Sequence, residues 1–119
     1  MVAIEDVIQE LKSAEAGSRL LDSRIGLLVG YHKADENIHP KNSWIHPDGK
    51  VAYLPQFTTS IDAAYSLSKR FSESSGFVHT GEIAKARVGT SPVAHAATPA
   101  VALCLATLMF TAGHVSSDA

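Results

Sequence analysis

The chain has 119 residues, of which 45% are hydrophobic and 18% are charged, and its formal net charge is -2. A chain of this length buries enough apolar surface for one core without disulfide or metal support, so we expect one domain over residues 1–119 and no intrinsic disorder. Nearly equal numbers of acidic and basic residues provide no broad positive field, which argues against nucleic acid as a partner.

Two amphipathic helices are predicted at the N-terminal end. The first covers about residues 3–15, where apolar residues recur at the spacing of one helical face: Ile4, Val7, Ile8, Leu11 and Ala14. Gly17 then interrupts the pattern, and the Ser18 hydroxyl is suited to accept from the free amides at a helix start. We therefore expect a second helix over about residues 18–29, closed by Gly30.

Residues 31–57 lack a sustained hydrophobic period and contain three prolines, Pro40, Pro47 and Pro55. The turn sequence at 46–50 is flanked by Trp44-Ile45 and Val51-Ala52-Tyr53, and its proline and glycine favour a tight turn. A short hairpin is therefore predicted there. Because compact domains rarely leave so long a connection unstructured, residues 31–57 either carry this hairpin or form a mobile functional loop.

A third helix and two strands are predicted next. Thr59 lies three residues before Asp62, a variant of the capping box with Asp in place of Glu, so a helix is expected from there to about residue 70. Residues 77–80 have strand propensity, and residues 84–88 alternate apolar with charged side chains. We expect these segments to form antiparallel strands that turn near Gly81.

The last predicted helix is apolar on every face. After a loop that includes His95, Thr98 as N-cap and Pro99 at the first helical position open this helix, and Gly113 ends it. Its continuous apolar segment of 14 residues is shorter than a membrane span, which favours a buried core helix. A tail at 115–119 is expected to fray.

The order of these elements predicts an α+β fold around a small antiparallel sheet, because helices and strands are segregated rather than strictly alternating. A short sheet must protect its strand edges, and one sheet face with two amphipathic helices is not expected to enclose a helix that is apolar all round. We therefore expect a homo-oligomer, most simply a twofold homodimer.

The single cysteine, Cys104, lies between Leu103 and Leu105. The chain therefore forms no internal disulfide, and Cys104 is predicted to be a small buried hydrophobe in a reducing compartment. A nucleophilic thiolate would need electropositive, accessible surroundings, which these apolar neighbours do not provide. Because Glu5 and Asp6 stand where a secretion signal carries basic residues, we expect a cytoplasmic protein.

Three histidines at seven-residue intervals, His32, His39 and His46, suggest a metal site. The interval would align them on a helix, but the prolines in residues 31–57 argue against one, and no recognised zinc-site spacing is present. Zinc ligands also converge from loops. A small metal-dependent or hydrolytic enzyme that uses residues 32–46 therefore stays open as an alternative.

The sequence contains no serine-nucleophile motif and no glycine-rich phosphate loop. We therefore predict no catalytic residue, no cofactor-binding residue and no cofactor, and the question of enzymatic activity stays open. Trp44 and Tyr53 in the predicted hairpin are candidates for a partner-binding surface, because aromatic side chains often anchor interfaces. Burial of the same two side chains in the core is the alternative.

Three segments of the chain share a recognisable order and spacing. They are Leu20-Leu21-Asp22-Ser23-Arg24-Ile25 ending in Gly30-Tyr31, Phe57-Thr58-Thr59-Ser60-Ile61-Asp62-Ala63-Ala64, and Ala97-Thr98-Pro99-Ala100-Val101-Ala102-Leu103-Cys104. Together they resemble the phage ABA sandwich domain family, small proteins of phages and prophages, over about residues 18–112. The resemblance implies a sheet with helices on both faces, an α/β/α sandwich. It implies no catalytic residue, since no activity is assigned to the family.

These observations lead to one functional hypothesis and two alternatives. We expect a phage- or prophage-derived accessory protein of the bacterial cytoplasm, without membrane contact, that binds a protein partner or self-associates. The first alternative is the small enzyme that uses the histidines of residues 32–46. The second is a structural component of the virion.

Overall fold

A computed structural model of the protein describes residues 3–80 and 83–113. This part of the chain forms four helices and two three-stranded antiparallel sheets. The helices are α1 (Ile4–Ser13), α2 (Arg19–Leu28), α3 (Ile61–Lys69) and α4 (Pro99–Thr111). The first sheet contains β1 (His32–Lys33), β2 (Trp44–Ile45) and β3 (Val51–Ala52), and the second contains β4 (Ser75–Thr80), β5 (Ile83–Val88) and β6 (Ala94–Ala96).

Helix α4 lies at the centre of the fold. Every residue from 100 to 109 is buried, as expected of a helix without a polar face. The β4–β6 sheet packs on one side of α4, and α1 and α3 pack on its other sides. Thr98 accepts the Val101 N–H at 3.2 Å and Pro99 follows at the first helical position, so the predicted start of this helix is confirmed.

The β4–β6 sheet has one buried face and one exposed face. In the central strand β5, the side chains of Ala84, Ala86 and Val88 are buried, whereas those of Ile83, Lys85 and Arg87 are exposed. Strand β4 pairs with one side of β5 and β6 with the other, both antiparallel. The buried row packs against α4.

The α+β class predicted from the sequence is confirmed, with helices that pack against the strands of small antiparallel sheets. Within residues 3–80 and 83–113, helices pack against one face of the β4–β6 sheet, and the opposite face carries exposed side chains: Val78, Ile83, Lys85, Arg87 and His95. The physical reason is α4. Because α4 has no polar face, α1 and α3 pack on the sides of α4 that the sheet leaves uncovered.

The starts of α2 and α3 follow from single hydroxyl caps. Ser18 accepts the Leu21 N–H at 3.1 Å, as expected for the second helix. The third helix is capped by Ser60, which accepts the Ala63 N–H at 3.2 Å, and not by Thr59. The start of the third helix therefore lies one residue later than the capping box predicted.

The hairpin predicted within residues 31–57 is present. Trp44 lies opposite Ala52, and Gly49 in the connecting turn has a φ of 93°, which glycine adopts without strain. Two strands were not predicted: β1, which pairs with β2, and β6, which contains His95 where a loop was expected.

This chain encloses α4 by itself, so the reason for expecting a homodimer, an incompletely covered apolar helix, is wrong. Any self-association must use another surface. No helix of the described residues is long and apolar enough to cross a membrane. The turn expected near Gly81 and the tail expected at 115–119 lie outside the described residues.

Candidate functional site

The three histidines of residues 32–46 do not form a site. His32 is exposed on β1 opposite Ile45, His39 is partly buried, and His46 begins the hairpin turn. Within the described part of the chain, no group of three or more His, Cys, Asp or Glu side chains is placed to hold a metal ion. The enzyme alternative built on these histidines therefore has no geometric support in these residues.

His46 is instead engaged in the hairpin turn. Its Nδ1 accepts the Asp48 N–H at 3.0 Å and lies 3.1 Å from the Asp48 carboxylate. The backbone N–H of Lys50, which donates to this carboxylate at 2.9 Å, lowers the pKa of Asp48, and His46 adds to the effect. The His46 ring also meets the edge of Tyr31 at a centroid distance of 5.1 Å.

The two aromatic candidates for partner binding lie in different environments. Trp44 is 5% exposed and belongs to the hydrophobic core, and the Lys33 ammonium lies 5.9 Å from its ring centroid. Tyr53 is 85% exposed. Burial within this chain accounts for Trp44, and Tyr53 stays a prediction as a partner contact.

The three segments that carry the family resemblance meet in the interior. Asp22 from the first is hydrogen-bonded to Thr58 from the second, and the Cys104 thiol from the third donates to the Phe57 carbonyl at 3.1 Å. Asp22, Thr58 and Cys104 are buried. Burial, with a smaller effect of the Asp22 charge, raises the pKa of Cys104, which favours the protonated, unreactive thiol predicted from its apolar neighbours. This cluster holds the fold together and is closed to a substrate.

One edge of strand β4, called here the open edge, pairs with no other strand of residues 3–80 and 83–113. Strand β4 is the first strand in the order β4-β5-β6, so only one of its sides is paired, with β5. Just before the first paired residues, Ser75 and Val88, the Gly89 N–H donates to the Ser74 carbonyl at 2.6 Å. Hydrogen-bonded and non-hydrogen-bonded pairs alternate along antiparallel strands. Because Ser74 is hydrogen-bonded to Gly89, the backbone N–H and C=O groups of every second residue after it, Gly76 and Val78, also point toward β5. The backbone groups of the residues between them point away from β5, toward the open edge: Ser75, Phe77 and His79.

The open edge of β4 is uncharged and partly apolar. The strand contains no Asp, Glu, Lys or Arg. Phe77 is 40% exposed and Val78 is 58% exposed. Natural sheets usually protect such an edge with charged residues, proline or a bulge. An exposed, uncharged edge of this length is therefore suited to accept another strand.

A second feature is a cavity of about 380 Å³ between the hairpin and α3. Tyr31, His46 and Phe57 line one part of it, and Leu67 and Arg70 line another. Sequence reasoning did not bring Tyr31 and Arg70 together, because they are far apart in the chain. It also missed the open edge of β4, although the sequence shows that residues 75–80 contain no Asp, Glu, Lys or Arg.

No protein-family model matches this chain, and neither a curated protein nor a solved structure is significantly similar to it. Its function has to be inferred from its own residues.

Proposed function

We propose that this protein acts through protein–protein contact, and that its first partner is a second copy of itself, bound through the open edge of β4. The observation that carries the proposal is the uncharged edge with the outward-directed backbone groups of Ser75, Phe77 and His79. Unpaired strand edges bind other strands through main-chain hydrogen bonds.

The sequence of β4 is self-complementary in one antiparallel register. With a twofold axis at Phe77, the Phe77 residues of the two copies face each other, and Ser75 of each copy faces His79 of the other. All three residues direct their backbone groups outward, so each of these pairs forms main-chain hydrogen bonds. The β4–β6 sheets of the two copies then form one continuous sheet of six strands.

Side chains and charge also favour a second copy as the occupant. The partly exposed Phe77 rings lie side by side across the axis, and aromatic cross-strand pairs stabilise antiparallel sheets. Because β4 has no Asp, Glu, Lys or Arg, the register brings no like charges together. Neither copy has to bury an unpaired charge.

The wider role that we propose is that of a phage- or prophage-derived accessory protein in the bacterial cytoplasm. The order of the three motif segments supports the phage origin, and the single buried cysteine is typical of a reducing compartment. In the proposed dimer, the exposed sheet faces with Lys85 and Arg87 form one extended surface for a further partner.

Sedimentation equilibrium tests the proposal. Wild-type protein is expected to be a dimer at micromolar concentration. Phe77→Lys places two like charges opposite each other on the edge, and His79→Pro removes an outward N–H that β5 does not use. Both variants should be monomers with an unchanged circular dichroism spectrum. Ile83→Lys is the control: like Phe77→Lys it replaces an exposed apolar side chain by lysine, but on the exposed face of the sheet, and this variant should stay dimeric.

Two outcomes would contradict the proposal. One is a wild-type monomer mass across the whole concentration range. The other is a dimer that both edge variants retain while Ile83→Lys dissociates it, which would assign the interface to the exposed sheet face. His79→Pro keeps the Phe77 side chain, so loss of the dimer in this variant reports loss of main-chain pairing at the edge. The unchanged circular dichroism spectrum shows that the variant is still folded.

A further inference from the structure

The cavity between the hairpin and α3 is lined by Tyr31, a core residue whose hydroxyl has no protein partner among the described residues. Tyr31 is 6% exposed, and its ring is wedged between His46 and Phe57, at centroid distances of 5.1 and 6.0 Å. Among the described residues, no hydrogen bond reaches the Tyr31 hydroxyl. A hydroxyl in this position has a donor and an acceptor available for a bound group.

Arg70 supplies a positive charge at the same cavity. Its Nη2 donates to the Val29 carbonyl at 3.2 Å, and its guanidinium lies 5.6 Å from the centroid of the Phe71 ring. These two contacts hold the head group in place while leaving its other N–H groups free to donate. Arg70 and Tyr31 line the same cavity. Burial raises the pKa of Tyr31, the Arg70 charge lowers it in part, and the Asp48 charge adds to the rise.

His46 also lines the cavity, and its Nδ1 is engaged by Asp48: it lies 3.0 Å from the Asp48 backbone nitrogen and 3.1 Å from the Asp48 carboxylate. The other ring nitrogen, Nε2, makes no hydrogen bond within the described residues, so it is available to a bound group. The residues that line the cavity include no carboxylate, and the nearby Asp48 is already bound to His46 and to Lys50.

We propose that this cavity binds a small organic anion with a flat apolar body. The anionic group faces the Tyr31 hydroxyl and the Arg70 guanidinium, and the body lies against Pro55 and Ala63, two half-buried apolar residues of the lining. A few donors that converge beside apolar walls are the usual composition of a small-molecule site, and arginine is well suited to carboxylate and phosphate groups.

The apolar walls select against a bare inorganic anion. Pro55 and Ala63 are half-buried and present carbon surface to the cavity, and the Tyr31 and Phe57 rings behind them favour edge or offset contact with a flat group. An aromatic carboxylate satisfies both the donors and the walls. Benzoate is therefore the probe, benzyl alcohol provides the ring without the charge, and inorganic phosphate provides charge without the ring.

Amide chemical-shift titrations of the full chain with each probe test the proposal. Benzoate should saturate, with shifts centred on residues around Tyr31 and Arg70, and the other two probes should bind at least about tenfold more weakly, the scale of one charge-assisted hydrogen bond. Tyr31→Phe keeps the ring and removes the hydroxyl. Arg70→Gln removes the charge. Each should weaken benzoate binding by about tenfold or more.

Matched controls lie elsewhere on the surface. Tyr53→Phe removes an exposed hydroxyl, and Arg87→Gln removes a charge on the exposed sheet face, so both should bind benzoate like the wild type. Absence of saturable benzoate binding would overturn the proposal. Equal binding of benzoate and benzyl alcohol would also overturn it, as would wild-type affinity in both Tyr31→Phe and Arg70→Gln.

Discussion

Thr58 donates both its backbone N–H and its hydroxyl to the same carboxylate oxygen of Asp22, at 2.8 and 2.6 Å. Both residues are buried, and the other oxygen of Asp22 accepts from Arg19 Nη1 at 2.9 Å. A carboxylate removed from water must recover its lost hydration through such bonds. This pair therefore ties α2 to the segment that leads into α3.

Thr58→Val tests the contribution of the hydroxyl. The change removes the bond to Asp22 and leaves the Ser18 N–H without its acceptor, so we expect a loss of about 1.5 to 3 kcal/mol in the free energy of unfolding. Urea unfolding at one fixed protein concentration measures it. Thr59→Val changes an exposed neighbour and should stay within about 0.5 kcal/mol of wild type. Equal losses in the two variants would show that the buried bond is not the cause.

Gly17 is required by the close approach of the chain to Thr58. A Cβ on Gly17 would lie 1.9 Å from the Thr58 carbonyl oxygen, a backbone atom that cannot rotate away. Gly17→Ala should therefore destabilise the protein by about 1 to 3 kcal/mol, the usual cost of overpacking.

The control for Gly17→Ala is Gly76→Ala, because a Cβ on Gly76 meets no atom within 4 Å. We expect this second variant to unfold within about 0.5 kcal/mol of wild type. Urea unfolding compares the two alanine variants directly. If Gly17→Ala is as stable as Gly76→Ala, then the junction between Gly17 and Thr58 is free to move, and our account of this junction is wrong.

The helices could be predicted because their start signals act within one turn. Ser18 and Thr98 each accept an N–H three residues ahead, and no distant residue is needed for that bond. Strand β5 could also be predicted, since its alternating side chains directly reflect one buried and one exposed face. Strand β6 could not. Ala94–Ala96 has little strand propensity, and it is a strand because Ala94 and Ala96 pair with Ala86 and Ala84.

The candidate sites were less predictable, because they depend on which strand lies at an edge and which distant side chains meet. Trp44 lies opposite Ala52, so Tyr53, the next residue, is directed to the other side of the hairpin. This register makes Trp44 a core residue and Tyr53 an exposed one. The register cannot be read from the amino-acid composition of the hairpin. Tyr31 and Arg70 line the same cavity only once the fold has placed the end of α3 near the hairpin turn.

Leu105 tests the central position of α4. The side chain is 1% exposed, so Leu105→Ala should leave a cavity that costs about 2 to 5 kcal/mol in the free energy of unfolding. Leu20→Ala makes the same chemical change on the surface of α2, where Leu20 is 69% exposed, and should cost less than about 0.5 kcal/mol. Urea unfolding of both variants is the measurement. A loss below about 0.5 kcal/mol for Leu105→Ala would place α4 outside the core.

Cys104 should be unreactive in the native protein and should make stability depend on pH. Its pKa is raised by burial first and by the charge of Asp22 second. An exposed thiol in the unfolded chain ionises near pH 8.5. Above that pH the unfolded state releases a proton that the native state keeps, so the contribution of Cys104 to stability is complete below about pH 8.5 and decreases as the pH rises.

Two measurements check this prediction. An aromatic disulfide reagent at pH 8 should label Cys104 no faster than the protein unfolds, and should label it at once in urea. The difference in unfolding free energy between wild type and Cys104→Ala should become smaller above about pH 8.5, because only the wild type loses a thiol contribution. The variant also carries every other group that titrates at alkaline pH, so the comparison isolates the thiol. Rapid native labelling, or a difference that does not change with pH, would show that the Cys104 thiol reaches solvent.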